Sequence, residues 1–222
     1  MQPIIFDFNG TMFLDTKENE MAWREEIKKI CNKSVTDEEF KNFLHGSLNE
    51  VIVRHYAGND LPEDKVNEYA KDKELIYQKL CLIRPEGIAL TPGLSKVLDI
   101  LKAHNTPINI ASSAMPMNMD FYFAHMDLNR WFDRQKVVCN DGTLPGKPDP
   151  AFYLEAAKRI NVRPEDCMVI EDAISGIKSA HAAGMKNIIA IASTNPPEYF
   201  AKIPEVNAVI QDFFEFEKFL KF

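Results

Sequence analysis

The stretch Ile4-Ile5-Phe6-Asp7-Phe8-Asn9-Gly10-Thr11 decides the fold. An apolar run of this kind, cut off by turn residues, suits a strand buried on both faces of a parallel sheet. Moving outward, similar runs recur at Ile108-Asn109-Ile110-Ala111, Lys136-Val137-Val138, Cys167-Met168-Val169-Ile170, Ile188-Ile189-Ala190-Ile191 and Ala208-Val209-Ile210. Helical patterns lie between them. Leu94, Val97, Leu98 and Leu101 repeat at helical spacing, and Asp149-Pro150 forms an N-cap and first-turn pair ahead of Phe152, Ala156 and Ile160. Strand and helix thus alternate through the C-terminal part of the chain, which predicts a doubly wound α/β domain.

Residues 16–85 break that alternation. Glu18 to Cys31, Thr36 to Leu44, Leu48 to Tyr56 and Pro62 to Leu82 all read as helix, with Thr36 and Glu39 in capping-box register. Four helices inserted after the first strand predict a separate helical cap over 16–85. The α/β core is then 1–15 plus 86–222, with hinges near Phe13 to Thr16 and Arg84 to Pro92. The aromatic segment Phe213-Phe214-Glu215-Phe216, with Phe219, predicts a terminal helix packed on the core.

The chain has 222 residues, is 45% hydrophobic and carries a formal net charge of -7. That suits a soluble protein with a substantial core and argues against a nucleic-acid partner, which would need a basic stripe. Cys31, Cys81, Cys139 and Cys167 are widely spaced, with no C-x-x-C, so reduced thiols are expected in place of a zinc site or a disulfide framework. Met1-Gln2-Pro3 runs straight into the first strand, and no apolar run approaches a membrane span. A cytoplasmic monomer with no membrane partner is the expectation.

Ligands of an open parallel sheet sit outside the carboxyl ends of its strands. The residues gathered there are Asp7, Asn9, Ser112, Lys147 within Lys147-Pro148-Asp149-Pro150, and Glu171-Asp172 ahead of Gly176. Each alone has an ordinary explanation, since strands often end in Asp or Ser for turn reasons and a lone lysine is usually solvated. Their order and spacing together are specific. Over nearly the whole chain the pattern resembles the haloacid dehalogenase superfamily, and within it the phosphatase and β-phosphoglucomutase-like group with a helical cap. The family pattern is Asp-x-Asp-Gly-Thr, then a strand-end Ser or Thr, a Lys before Pro-x-Pro, and Glu-Asp with a nearby Gly.

The resemblance implies a three-layer α/β/α core of Rossmann-like form and a Mg²⁺-dependent reaction on a small phosphorylated substrate. In that reading Asp7 attacks phosphorus and forms an aspartyl-phosphate. Mg²⁺ is held by Asp7, the backbone carbonyl of Asn9 and Asp172, with Glu171 ligating directly or orienting through water. Ser112 and Lys147 stabilise the transferring phosphoryl group and contact the substrate. His45, Arg54 and His55 of the cap read as surface residues. Lys73 stands where relatives often carry a lysine facing the site, which makes it the cap's candidate substrate contact.

One departure matters. The family's phosphatases and mutases carry an aspartate two residues after the nucleophile as general acid and base, and here that residue is Asn9. An amide can neither protonate a leaving alkoxide nor activate water, a loss of roughly 10²–10⁴-fold. Three readings stand side by side: a hydrolase of substrates with good leaving groups or with a proton relay from the cap; a weak or inactive phosphometabolite-binding protein; or a replacement introduced to trap a complex. The mutase reading is weakened by three further departures. Asn49 stands three residues after Gly46, Ala114-Met115 follows the core serines, and Asn19 precedes Trp23, where the mutases or other relatives carry Arg, Ser-Lys and His.

Overall fold

The computed structural model describes residues 1–220. In chain order the elements are β1 (Ile4–Phe6), α1 (Thr16–Cys31), α2 (Asp37–Glu39, running into a π-helical turn over Phe40–Leu44), α3 (Asn49–Ala57), α4 (Glu63–Ile83), α5 (Leu94–Ala103), β2 (Ile108–Ile110), α6 (Pro116–His125), α7 (Ala151–Arg159), β3 (Met168–Glu171), α8 (Ile174–Ala182), β4 (Asn187–Ile191), α9 (Pro197–Phe200) and β5 (Ala208–Ile210). The chain forms two compact units, Met1–Leu14 with Ala89–Phe222, and Asp15–Ile88.

The first unit is a Rossmann-like α/β core. Its five strands are all parallel, in the order β2-β1-β3-β4-β5. β1 lies between β2 and β3, and the chain builds the sheet outward from it on opposite sides. That places the switch point of the sheet at the carboxyl end of β1, immediately before Asp7. Alternation along the strands divides the core. Ile5, Val169, Ile188 and Ala190 pack with Phe152, Tyr153, Ala156, Ile177 and Ala180 of α7 and α8. From the opposite face, Phe6 meets the rings of Phe132 and Phe213 at 6.3 and 6.4 Å.

Two predicted elements differ. The run Lys136-Val137-Val138 is not a strand: it meets the sheet only through an isolated parallel bridge between Ala111 and Val138. Val138 N–H donates to Ile110 and Ser112 N–H to Val138, but Lys136 N–H is already turned back to Asp133 and Asn140 N–H to Ala114, so no ladder extends. The aromatic tail is a 3₁₀ turn over Phe216–Phe219, not a terminal α-helix. Phe213 and Phe216 are buried while Phe214 is 69% exposed, a spacing of three that a 3₁₀ turn satisfies. Phe213 N–H donates to Pro92, which pins the segment.

The second unit packs α1, α3 and α4 around Trp23, Ile27, Phe40, Leu44, Ile52, Val53 and Val66. Thr36 caps α2 by accepting from Glu39 N–H at 3.1 Å. The reciprocal arm of the capping box is diverted, because the Glu39 carboxylate accepts from the Tyr56 hydroxyl at 2.6 Å. No helix among the described residues is long and apolar enough to cross a membrane.

Candidate active site

β1 ends in a tight turn that serves the residues after it. Phe8 carbonyl accepts from the N–H groups of Thr11, Met12 and Phe13, and Gly10 N–H donates to Phe13. Gly10 sits at φ +76°, and a Cβ there would lie 2.1 Å from Asp172 Oδ2. Only glycine therefore permits both the left-handed turn and the approach of the Asp172 carboxylate. Thr11, fully buried, donates its hydroxyl to Asp172 Oδ1 at 3.3 Å.

Asp7, Glu171 and Asp172 are all buried and can each bring one carboxylate oxygen within 4.8 Å of the others. β1 and β3 are neighbours, and Asp7 N–H donates to Ile170 carbonyl at 3.0 Å, which sets this proximity by sheet register. Lys147 reaches the same point from the loop before α7, its ammonium 2.7 Å from Asp7 Oδ1 and 2.6 Å from Glu171 Oε1. Burial works against the Lys147 charge, but the adjacent Asp7 and Glu171 carboxylates outweigh it and hold the ammonium pKa above its ordinary value. Glu171 Oε2 accepts from the N–H groups of Asp172 and Ala173 at 3.0 and 2.9 Å, at the start of α8.

Ser112 is buried one residue past Ala111, whose N–H donates to Phe6 in the strand beside Asp7. Its Oγ accepts from Ala114 N–H at 3.1 Å. Asn9 follows β1, and its side-chain amide donates to the Tyr122 hydroxyl at 2.7 Å. Lys73 lies in the other unit. It is buried there, with its ammonium 3.1 Å from Glu74 Oε1 and over the rings of Trp23 and Tyr77 at 5.1 and 5.3 Å.

Two residues of the site were not picked out by sequence reasoning. Tyr122 of α6 is fully buried and stacks on Phe8 at 4.3 Å. Tyr153 of α7 is fully buried and donates its hydroxyl to Glu171 Oε1 at 2.9 Å. Both lie in aromatic-rich helices, where a tyrosine reads as core. The available signal for Tyr153 was its place three residues after Pro150, on the helix that the Lys147 loop feeds.

Buried carboxylates in such a group require compensating positive charge. When ionised, the three carry -3 and Lys147 supplies +1, leaving -2. Hard oxygen donors and a deficit of that size fit a divalent cation such as Mg²⁺.

The model of the haloacid dehalogenase-like hydrolase family matches residues 4–190. Hexitol phosphatase A of Escherichia coli is 26% identical over 93% of this chain and 88% of its own length. β-Phosphoglucomutase of Bacillus subtilis is 30% identical over 83% of this chain and 81% of its own. The match to the bifunctional riboflavin kinase/FMN phosphatase of Arabidopsis thaliana, 32% identical over 58% of this chain, spans 32% of that protein. Among solved structures, a family IA, variant 3 hydrolase from Entamoeba histolytica superposes with a TM-score of 0.87 at 34% identity, covering 96% of this chain and 94% of that one. With its parallel core, its inserted helical unit and a family match over residues 4–190, this chain belongs to the haloacid dehalogenase-like hydrolases.

Proposed function

We propose that this chain is a Mg²⁺-dependent phosphatase-type hydrolase of a small phosphorylated metabolite, with Asp7 as nucleophile. The observation that carries the reading is the Lys147 ammonium held between Asp7 and Glu171 beside the buried carboxylate group. Asp7, the Asn9 carbonyl and Asp172 would hold the metal, with Glu171 as ligand or orienter. When bound, the ion would offset the repulsion between a phosphate dianion and the Asp7 carboxylate.

The chain's own residues supply the rest. An Asp7 oxygen attacks phosphorus, the bond to the leaving oxygen breaks, and that oxygen departs as an anion that takes its proton from solvent; water then attacks phosphorus, releasing inorganic phosphate and restoring the Asp7 carboxylate. Lys147 stays charged and counters negative charge on the transferring oxygens, and Ser112 lies at the strand end where a hydroxyl can donate to one of them. Lys73 is the cap's contribution to substrate binding in this reading. Asn9 cannot give the leaving group its proton, so esters with weakly basic leaving groups are the preferred substrates, and turnover of ordinary alkyl esters is slow.

Phosphate release from a panel of sugar phosphates, nucleotides, pyrophosphate and acetyl phosphate tests this, with and without Mg²⁺ and with Asp7→Asn as blank. Metal-dependent release that vanishes in the blank is expected. Release no greater than the blank on every substrate refutes the hydrolase. Asn9 itself favours a second reading, a phosphometabolite-binding protein with the same metal and anion groups. That reading is supported if a phosphate ester binds with Mg²⁺ but is not turned over.

A further inference from the structure

The chemistry above needs a cation held at a fixed point, yet lysine is a compact charge on a flexible four-carbon stem. Something must hold it. Asp7 and Glu171 attract the Lys147 ammonium at 2.7 and 2.6 Å, but two contacts with point charges do not by themselves orient a flexible side chain. Tyr153, which the proposed steps do not use, supplies the missing wall. Its ring centroid is 4.8 Å from Lys147 Nζ, and its hydroxyl oxygen accepts from Nζ at 3.4 Å while its O–H donates to Glu171 Oε1 at 2.9 Å. Glu171 Oε1 also accepts from Lys147 at 2.6 Å, which closes a three-membered ring of hydrogen bonds. Glu171 is anchored in turn through Oε2 on two backbone N–H groups and occupies the space that Gly176 leaves, where a Cβ would lie 1.6 Å from Oε1.

The surroundings sharpen the point. The Tyr153 ring lies in an otherwise apolar cluster with Phe152, Ala156, Val169 and Ile177. A phenylalanine would fill that space without the desolvation cost of a hydroxyl. The hydroxyl's partners Lys147 and Glu171 are both groups of the site. A phenol ionises at about pH 10, so at neutral pH the Tyr153 O–H is a donor.

We propose that Tyr153 is a positioning residue: its hydroxyl fixes the Glu171 carboxylate and its ring backs the Lys147 ammonium, keeping Lys147 aimed at Asp7. The catalytic consequence rests on the hydrolase reading; the structural part does not.

The test uses Tyr153→Phe, which keeps the ring, and Tyr153→Leu, which removes both contacts, in the full chain. Crystal structures of parent and variants without substrate form one arm. Orthovanadate binding in Mg²⁺ and steady-state kinetics on the best ester of the panel form the other. Tyr153→Phe should lower kcat and vanadate affinity about 10-fold, the worth of one hydrogen bond to a charged group, with KM nearly unchanged and Tm lower by only a few degrees. Tyr153→Leu should lower both further, and in each variant Lys147 Nζ or Glu171 Oε1 should shift from its place in the parent. A merely structural tyrosine would lower Tm and leave kcat in the folded fraction intact. If Lys147 and Glu171 stay in place in Tyr153→Phe, or if kcat and vanadate affinity stay within twofold of the parent, the inference is overturned. If the parent neither releases phosphate nor binds vanadate, the hydrolase reading fails instead, and the crystallographic arm still decides Tyr153.

Discussion

Replacing Gly176 by alanine sets two physical effects of opposite sign against each other. Gly176 lies in the first turn of α8, and helix propensity alone says that alanine there stabilises by up to ~1 kcal/mol. The structure says otherwise, because the new Cβ would lie 1.6 Å from Glu171 Oε1 and 2.0 Å from Glu171 Cδ. Ordinary carbon contacts begin near about 3.5 Å, so the carboxylate must withdraw by roughly 2 Å. It would then surrender its bonds to Lys147 at 2.6 Å and Tyr153 at 2.9 Å. Two buried groups left underpaired cost ~1–3 kcal/mol each. Against the helical gain, the net is a loss of about 3 kcal/mol, or a fall in Tm of about 6–12 °C for a chain of this size.

Thermal unfolding followed by circular dichroism reads this directly, and a double-mutant cycle identifies the cause. In a Glu171→Ala background the clash is gone, so Gly176→Ala should become neutral or stabilising by up to ~1 kcal/mol. A Gly176→Ala protein more stable than the parent, with phosphate release intact, would refute the packing argument. So would the same destabilisation in both backgrounds.

Asn9→Asp should raise turnover of alkyl phosphate esters by roughly 10²–10⁴-fold, with Mg²⁺ affinity measured by calorimetry unchanged, because only the backbone carbonyl at that position serves the metal. Tyr122→Phe keeps the stack on Phe8 but removes the acceptor for the Asn9 amide. It should cost ~1 kcal/mol, seen as a Tm lower by about 2–4 °C; an unchanged Tm would show that the bond contributes nothing net. Burial pushes the thiols of Cys81 and Cys167 up to about 12. Both should resist a thiol reagent at pH 8 in the native protein and react on unfolding, and mass spectrometry showing fast native labelling of either would contradict this. The unfolded chain releases these protons from about pH 8.5 upward while the native chain keeps them, so stability should fall as pH rises from about 9 toward 12.

The amino-acid sequence by itself determined the class of fold, and it pointed to Asp7, Lys147 and Glu171-Asp172, which the structure brings together. Apolar runs ending in Asp7, Ser112 and Glu171-Asp172 are visible without coordinates, because a strand buried on both faces is mostly apolar, Asn109 being the buried polar residue within them. The helical insert was equally legible, since apolar positions recur there at helical spacing, the β-branched run Val51-Ile52-Val53 of α3 notwithstanding. Where the reading failed, pairing decided. Val137 and Val138 have strand character and are buried, but turn hydrogen bonds on both sides leave them a single bridge. Phe213 and Phe216 look helical, yet a 3₁₀ spacing buries both in a shorter segment.

Only the tertiary structure decided how the site is supported. Glu171 rests on the N–H groups of its own neighbours and over Gly176, but Gly10 admits the Asp172 carboxylate, and Tyr153 and Tyr122 meet Glu171 and Asn9, through contacts between residues far apart in the chain. Local pattern records which face of a helix is buried. It does not record what that face meets, because a hydroxyl at the edge of a packed ring adds no periodicity, and its partner is chosen by the register of the sheet.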